Sequence, residues 1–200
     1  MSNMLVSLLL SAALFMLSCE NSEPSLRGTE MAPDMPTEEI ALTDQHGQPF
    51  RLSEVRGAVV LTFFGFTYCP DVCPLTLSTW KKVEAELGDD AEQVKFVYIT
   101  VDPERDTPEK MREHLSIFSD NFIGLTGSPE ELLPVYQGYG VYRKKNQISE
   151  SATGYLIDHT ARINVIDKNG RWRLSFSHDA PVEDMVHDIR ILLEESKTME

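Results

Sequence analysis

Only three cysteines occur in this 200-residue chain, too few for a disulfide-stapled scaffold or for an iron–sulfur cluster held by four thiolates. Basic residues are scarce too. Eighteen Lys and Arg stand against 32 Asp and Glu, a formal net charge of −14, which leaves little to neutralise phosphates and argues against nucleic acid as a partner. Such a surface also resists direct adhesion to anionic lipid; it serves solubility, with steering of a basic partner domain as its second use. No long apolar run is present. The longest, Met4 to Leu17 ("MLVSLLLSAALFML"), falls short of the roughly 20 residues of a spanning helix. What remains, 42% hydrophobic and 25% charged residues, suits one globular domain with a real core.

The Met4–Leu17 run contains serine as its only polar residue, ends at Ser18 and is followed by Cys19. Residues 1–18 read as a lipoprotein-type signal peptide with Cys19 as the lipidated first residue, or, uncleaved, as a short membrane anchor. The stretch 19–39 holds three prolines, many acids and no apolar periodicity, and reads as a flexible linker in which Met31 and Met35 belong to no site. Residues 40–196 are expected to form the folded domain and 197–200 a tail. The body of the protein is expected outside the cytoplasmic membrane, on its periplasmic or extracytoplasmic face, and attached to it.

Within the domain, "VVLTFFGF" (Val59 to Phe66) and "VKFVYITVD" (Val94 to Asp102) are continuous β-branched and aromatic runs, as strands buried on both faces require. Between them "PLTLSTWKKVEAELG" places Leu77, Trp80, Val83 and Leu87 on one helical stripe, with Gly88 as its stop. Thr107 and Ser128 are N-caps, each followed by a proline at the first helical position. "FIGLTG" is a short strand. "RINVIDKNGRWRLSF" is two strands around a turn at Asn169 and Gly170. A last helix from Pro181 turns Val182, Met185, Val186, Ile189 and Leu193 inward, while Gly138 to Tyr155 shows little pattern and reads as an inserted excursion. This order predicts an α/β thioredoxin-like fold, a mixed central sheet flanked by helices.

The remaining two cysteines sit in "FFGFTYCPDVCP", Cys69 and Cys73, between the first buried strand and its helix. Open α/β folds place ligands there, and a helix N-terminus favours thiolate over thiol. A structural staple across so short a loop confers little entropic stabilisation. In a regular helix, four-residue spacing holds the β-carbons about 5–6 Å apart, wider than the roughly 3.8 Å of a disulfide. A two-sulfur clamp on a soft metal fits that spacing better, and a redox pair stays open beside it. The further ligand in view is His159 in "GYLIDHTARINV", next to Asp158 and Thr160; His46, His114, His178 and His187 are weaker candidates.

"FFGFTYCPDVCPLTL" with "VDPERDT" and "LIDHT" resembles the SCO/SenC family, thioredoxin-like copper proteins that assist assembly of the dinuclear copper centre of cytochrome c oxidase. The similarity runs from about Ile40 to Leu193. It implies that Cys69, Cys73 and His159 bind one copper ion, as Cu(I), Cu(II) or both, with Asp102 and Asp158 as supporting residues. The implied partners are the oxidase subunit that carries the dinuclear centre and a further copper chaperone, and relatives are anchored outside the cytoplasmic membrane. The rival reading is a thiol–disulfide reductase in which Cys69 and Cys73 keep partner cysteines reduced. Against it, thioredoxin-like reductases place a cis-proline before the strand facing their cysteines, and this chain has no proline between Pro134 and Pro181. A peroxidase is the more distant alternative, since its reactive cysteine lacks a neighbour four residues on.

Overall fold

The structure, a computed structural model, describes residues 25–33, 35–147 and 154–195. The signal or anchor expected over residues 1–18, and Cys19, lie outside the described residues. Among the described residues no helix is long and apolar enough to cross a membrane.

Within the described residues, ten strands and four α-helices follow one another as β1 (Thr29–Glu30), β2 (Ala41–Asp44), β3 (Pro49–Arg51), β4 (Val59–Gly65), α1 (Val72–Leu87), β5 (Val94–Thr100), α2 (Pro108–Leu115), β6 (Ile123–Thr126), α3 (Pro129–Gly138), β7 (Arg143–Gln147), β8 (Tyr155–His159), β9 (Arg162–Ile166), β10 (Trp172–Ser177) and α4 (Val182–Glu194). Eight strands form one sheet in the order β1-β10-β9-β4-β5-β6-β2-β3. The β4–β5 and β5–β6 pairs are parallel, whereas β9 runs antiparallel to β4 and β10 to β9. The mixed sheet and its flanking helices agree with the sequence expectation.

Strand alternation sorts the aromatic residues of β4 onto two faces. Phe63 packs edge-on against Trp80 of α1, 6.3 Å between centroids, and Trp80 continues to Phe96 and Phe122. The next residue, Phe64, faces the other way and meets Tyr136 and Tyr139 at the end of α3. The predicted stripe Leu77, Trp80, Val83 and Leu87 is buried as drawn. Both caps form: Thr107 accepts from the Lys110 amide, and Ser128 makes a reciprocal capping box with Glu131. Gly170 sits at φ +80 in the β9–β10 turn, a conformation that glycine adopts without steric penalty.

Two expectations require correction. Residues 29–30, read as part of a flexible linker, add a strand to the edge of the sheet, pairing with β10. The cause is a carboxylate too distant in sequence to be noticed. Asp188, fully buried on α4, accepts the backbone N–H groups of Arg27 (3.0 and 2.9 Å) and Gly28 (2.8 Å), and Thr37 accepts the Trp172 amide. Asp188→Ala would leave two amides without acceptors and is expected to cost about 2–3 kcal/mol. Trypsin cleavage after Arg27 under native conditions should then accelerate.

The region from Gly138 to Tyr155 is no patternless excursion, because β7 and β8 pair as a separate two-stranded ribbon. The exposed "RKKNQ" of β7 carries no apolar alternation to betray a strand. Its anchor is tertiary: Arg143 Nε donates to the Val101 carbonyl at 2.9 Å.

Candidate metal centre

The cysteine segment leaves β4 at Gly65 and enters α1 at Val72. Contrary to the regular-helix spacing, only Cys73 is helical. Cys69 precedes α1, and its N–H closes a turn on the Phe66 carbonyl at 3.1 Å. The two sulfurs therefore differ in environment. Cys69 is half-exposed; Cys73 is fully buried under the first turn of α1. The segment is fixed from below by Asp106, a fully buried carboxylate that accepts the Thr67 amide (3.2 Å), the Thr67 hydroxyl (2.6 Å) and the Thr100 hydroxyl (2.7 Å). Burial raises the Asp106 pKa, against the lowering effect of these hydrogen bonds.

His159 closes the site from the opposite side of the chain. It is the last residue of β8, and its ring stands edge-on to Phe63 (6.3 Å) and Phe66 (5.8 Å). Its Nδ1 lies 3.0 Å from the Thr160 carbonyl. A carbonyl only accepts, so Nδ1 carries the proton and Nε2 keeps its lone pair. That lone pair faces the Cys73 sulfur, 3.9 Å away.

Cys69 is the thiolate of the pair. Its pKa falls from the ordinary thiol value to about 4, first because the Cys73 thiol donates to it. The Asp71 and Cys73 amides lower it further, against the raising effect of burial. Cys73 is displaced upward, by the neighbouring Cys69 and by burial. One proton is thus shared over two sulfurs and resides on Cys73.

Asp102 and Asp158 part company. Asp102 is buried; it accepts from the Tyr155 hydroxyl at 2.8 Å and pairs with Arg105. The Arg105 guanidinium lies 3.6 Å over the Tyr155 ring and 4.8 Å from that of Tyr68, and donates to the Tyr155 carbonyl at 3.2 Å. Asp102 therefore pins the start of β8, whose far end presents His159. Asp158 is one residue out of phase with His159 on that strand; it is exposed and accepts from Asn146 across the ribbon. Its position removes it from the supporting role expected for it. Asp106, Thr67, Arg105 and Tyr155 escaped the sequence reading. For Asp106 a signal existed in the second aspartate of "VDPERDT", four residues after Asp102.

Among the described residues no three Cys, His, Asp or Glu side chains are drawn tightly enough to enclose an ion as they stand; Cys69, Cys73 and His159 meet as a hydrogen-bonded trio. Sulfur and nitrogen sharing one ion, with bonds of about 2.3 and 2.0 Å, stand roughly 3.6–3.8 Å apart, close to the 3.9 Å between Cys73 and His159. Two thiolates and an imidazole with its lone pair inward form a soft donor set, so the residues present fit a copper-type ion.

Comparisons with known proteins agree with this geometry. The family model described as SCO1/SenC matches residues 31–194. The SCO2-like protein RP587 of Rickettsia prowazekii is 35% identical over 145 residues, covering 72% of this chain and 71% of its own. The copper-bound structure of Bradyrhizobium japonicum ScoI superposes with a TM-score of 0.71 at 38% identity, covering 77% of this chain and 97% of that one. Apo Sco1 from Thermus thermophilus gives 0.75, also at 38% identity, over 86% and 99%. With more than half its length matched, and with the two cysteines and the histidine converging at the end of a thioredoxin-like sheet, the chain belongs to the SCO1/SenC family.

Proposed function

We propose that this protein binds one copper ion through Cys69, Cys73 and His159, and delivers copper to, or prepares, the dinuclear copper centre of cytochrome c oxidase. The observation that carries the reading is the fixed tautomer of His159. Because Nδ1 is committed to the Thr160 carbonyl, Nε2 offers a lone pair toward a buried thiol whose neighbour is already a thiolate. The copper-bound state of a relative 38% identical to this chain supports it. Loading would displace the proton on Cys73, so uptake releases acid and tightens as pH rises. Oxidation of the two thiols to a disulfide would remove two of three ligands and expel the metal. The oxidase subunit that carries the dinuclear centre is the proposed recipient, a further copper chaperone the proposed donor, and a membrane tether through the N-terminus, with the domain on the extracytoplasmic face, the proposed setting.

A second reading, thiol–disulfide reductase, is favoured by the asymmetry of the pair: a half-exposed low-pKa Cys69 to attack and a buried Cys73 to resolve.

Copper titration of the reduced full chain in detergent decides between them. The full chain is required, since a cut at Ile40 would remove β1 and the Asp188 contacts. One equivalent is expected to bind, with a sulfur-to-copper charge-transfer band in the Cu(II) form. Cys69→Ala and Cys73→Ala should abolish that complex, and His159→Ala should weaken it at least 100-fold. Wild-type protein that binds no copper, or an unaffected His159 variant, would overturn the copper reading and leave the reductase one.

A further inference from the structure

Where β4, β9, β10 and β1 lie side by side, the two faces of the sheet are unlike. On the face that Phe63 turns to α1 the cross-strand rows are apolar: Phe63, Ile163 and Phe176 in one, Leu61, Val165 and Leu174 in the next. On the reverse face the row between them is polar. Thr62 stands opposite Asn164, Asn164 opposite Ser175 and Ser175 opposite Thr29, one residue from each of four adjacent strands. Thr62, Asn164 and Ser175 are buried, and buried amides and hydroxyls are costly unless hydrogen-bonded. Asn164 spends one amide hydrogen on the Thr62 hydroxyl at 3.2 Å, and the Ser175 hydroxyl reaches Asn164 Oδ1 only at 3.5 Å. Arg162 lies over the row: its Nε donates to the Ser175 hydroxyl at 2.7 Å and its Nη2 to the Ser175 carbonyl at 3.3 Å. Among the described residues no carboxylate forms an ion pair with Arg162.

Arg162, Asn164 and Ser175 line a cleft of about 410 Å³. Its wall is aromatic, with Tyr139 centred 5.7 Å from Phe64 and 5.4 Å from Trp172. Among the described residues no Asp or Glu lines it, and neither do Cys69, Cys73 and His159. In a chain of net charge −14, an acid-free cleft with an arginine at its mouth is where an anion is least repelled. The volume lies toward the small end of the roughly 300–1,000 Å³ of small-molecule sites, room for one or two rings rather than a long chain. We propose that this cleft binds a small aromatic monocarboxylate, its carboxylate held by Arg162 and the Asn164 amide and its ring laid on Tyr139 and Trp172. A guanidinium fork matches a planar carboxylate, and the polar row beneath supplies neutral donors. A cation would meet the arginine, and an uncharged ring would leave those donors unanswered. The site is separate from the copper reading, and neither depends on the other.

The probe is 2-naphthoate, titrated calorimetrically into the reduced, metal-free full chain in detergent, with 2-naphthalenemethanol as its uncharged isostere. Arg162→Gln is titrated in the same detergent, so that uptake by micelles cancels. Wild type is expected to bind one equivalent of naphthoate with a Kd below about 1 mM. Arg162→Gln, at an exposed position, should melt close to wild type and bind naphthoate about tenfold more weakly or worse, and wild type should disfavour the alcohol by a similar factor. Trp172 lines the cleft, whereas the other tryptophan, Trp80, is buried under the opposite face. Naphthoate should therefore change the tryptophan fluorescence of wild type and not that of Trp172→Phe, while calorimetric binding persists in that variant. Absence of binding to wild type, equal affinity for the alcohol, undiminished affinity in a stable Arg162→Gln chain, or a fluorescence response that survives in Trp172→Phe would each overturn the proposal. Were Arg162→Gln to unfold, the alcohol and Trp172→Phe arms would still decide it.

Discussion

Asp106→Ala is expected to destabilise the metal-free protein by about 3–5 kcal/mol, because it strands the Thr67 amide and the Thr67 and Thr100 hydroxyls at about 1–3 kcal/mol each, less what rotating hydroxyls recover. For a chain of this size that corresponds to a melting temperature lower by about 10 °C or more. The effect should reach the site as well. Thr67 lies two residues before Cys69, and its tie to Asp106 is what fixes the end of β4 relative to β5 at that point, so copper affinity should fall even though all three ligands remain. Asp106→Asn separates the two consequences, since it keeps one acceptor. Its pH dependence has a definite sign. The folded-state pKa of Asp106 is raised, so the folded chain binds this proton more tightly than the unfolded one. The stability contributed by protonating it is fully present below the ordinary carboxylate range and is lost as pH rises through the raised value. On acidification wild type should therefore gain stability relative to Asp106→Asn, measurable as a widening melting-temperature difference. A constant difference would show that the group titrates no differently on folding.

The other large effect concerns reactivity. Cys69 owes its pKa of about 4 chiefly to the Cys73 thiol, so in the reduced, metal-free protein its alkylation rate should be flat from pH 5.5 to 8, about the range over which a free thiol titrates. In Cys73→Ala the principal donor is gone. Alkylation should then inflect at a pH several units higher, with the rate at pH 6 at least tenfold lower, the change being moderated because a more basic thiolate is also a better nucleophile. Mass analysis of the alkylated wild type should place the label on Cys69, since Cys73 is buried and holds the shared proton. Equal labelling of both cysteines at pH 6 would contradict the division of roles, and with it the reductase reading that depends on an attacking and a resolving thiol.

Neither experiment could have been designed from the sequence. Its periodicities located the α1 stripe, and its cap residues located the starts of α2 and α3, because those signals act within one or two turns of the chain. The acids were harder. Asp102 and Asp158 were both plausible neighbours of the site, and the strand phase that turns Asp158 toward Asn146 depends on a ribbon with no apolar alternation. Asp188 carries no local signal of its role, although it organises residues 27–28 from 160 positions away. On the inner face of α4, Leu192 is buried and Leu193, expected inward, is only half-buried.

By itself, the sequence determined the kind of chemistry: two cysteines at the mouth of a buried strand, a histidine before another, and an acidic surface unsuited to nucleic acid. These follow from residue type and short-range spacing. The tertiary structure alone decided which sulfur is the thiolate, which histidine nitrogen is free and which carboxylates brace the site. Each of those depends on a hydrogen-bond partner or on burial supplied by another part of the fold, from Asp106 to Thr67 across 39 residues and from Cys73 to His159 across 86. Proton positions follow such contacts, and no local pattern in the chain encodes them.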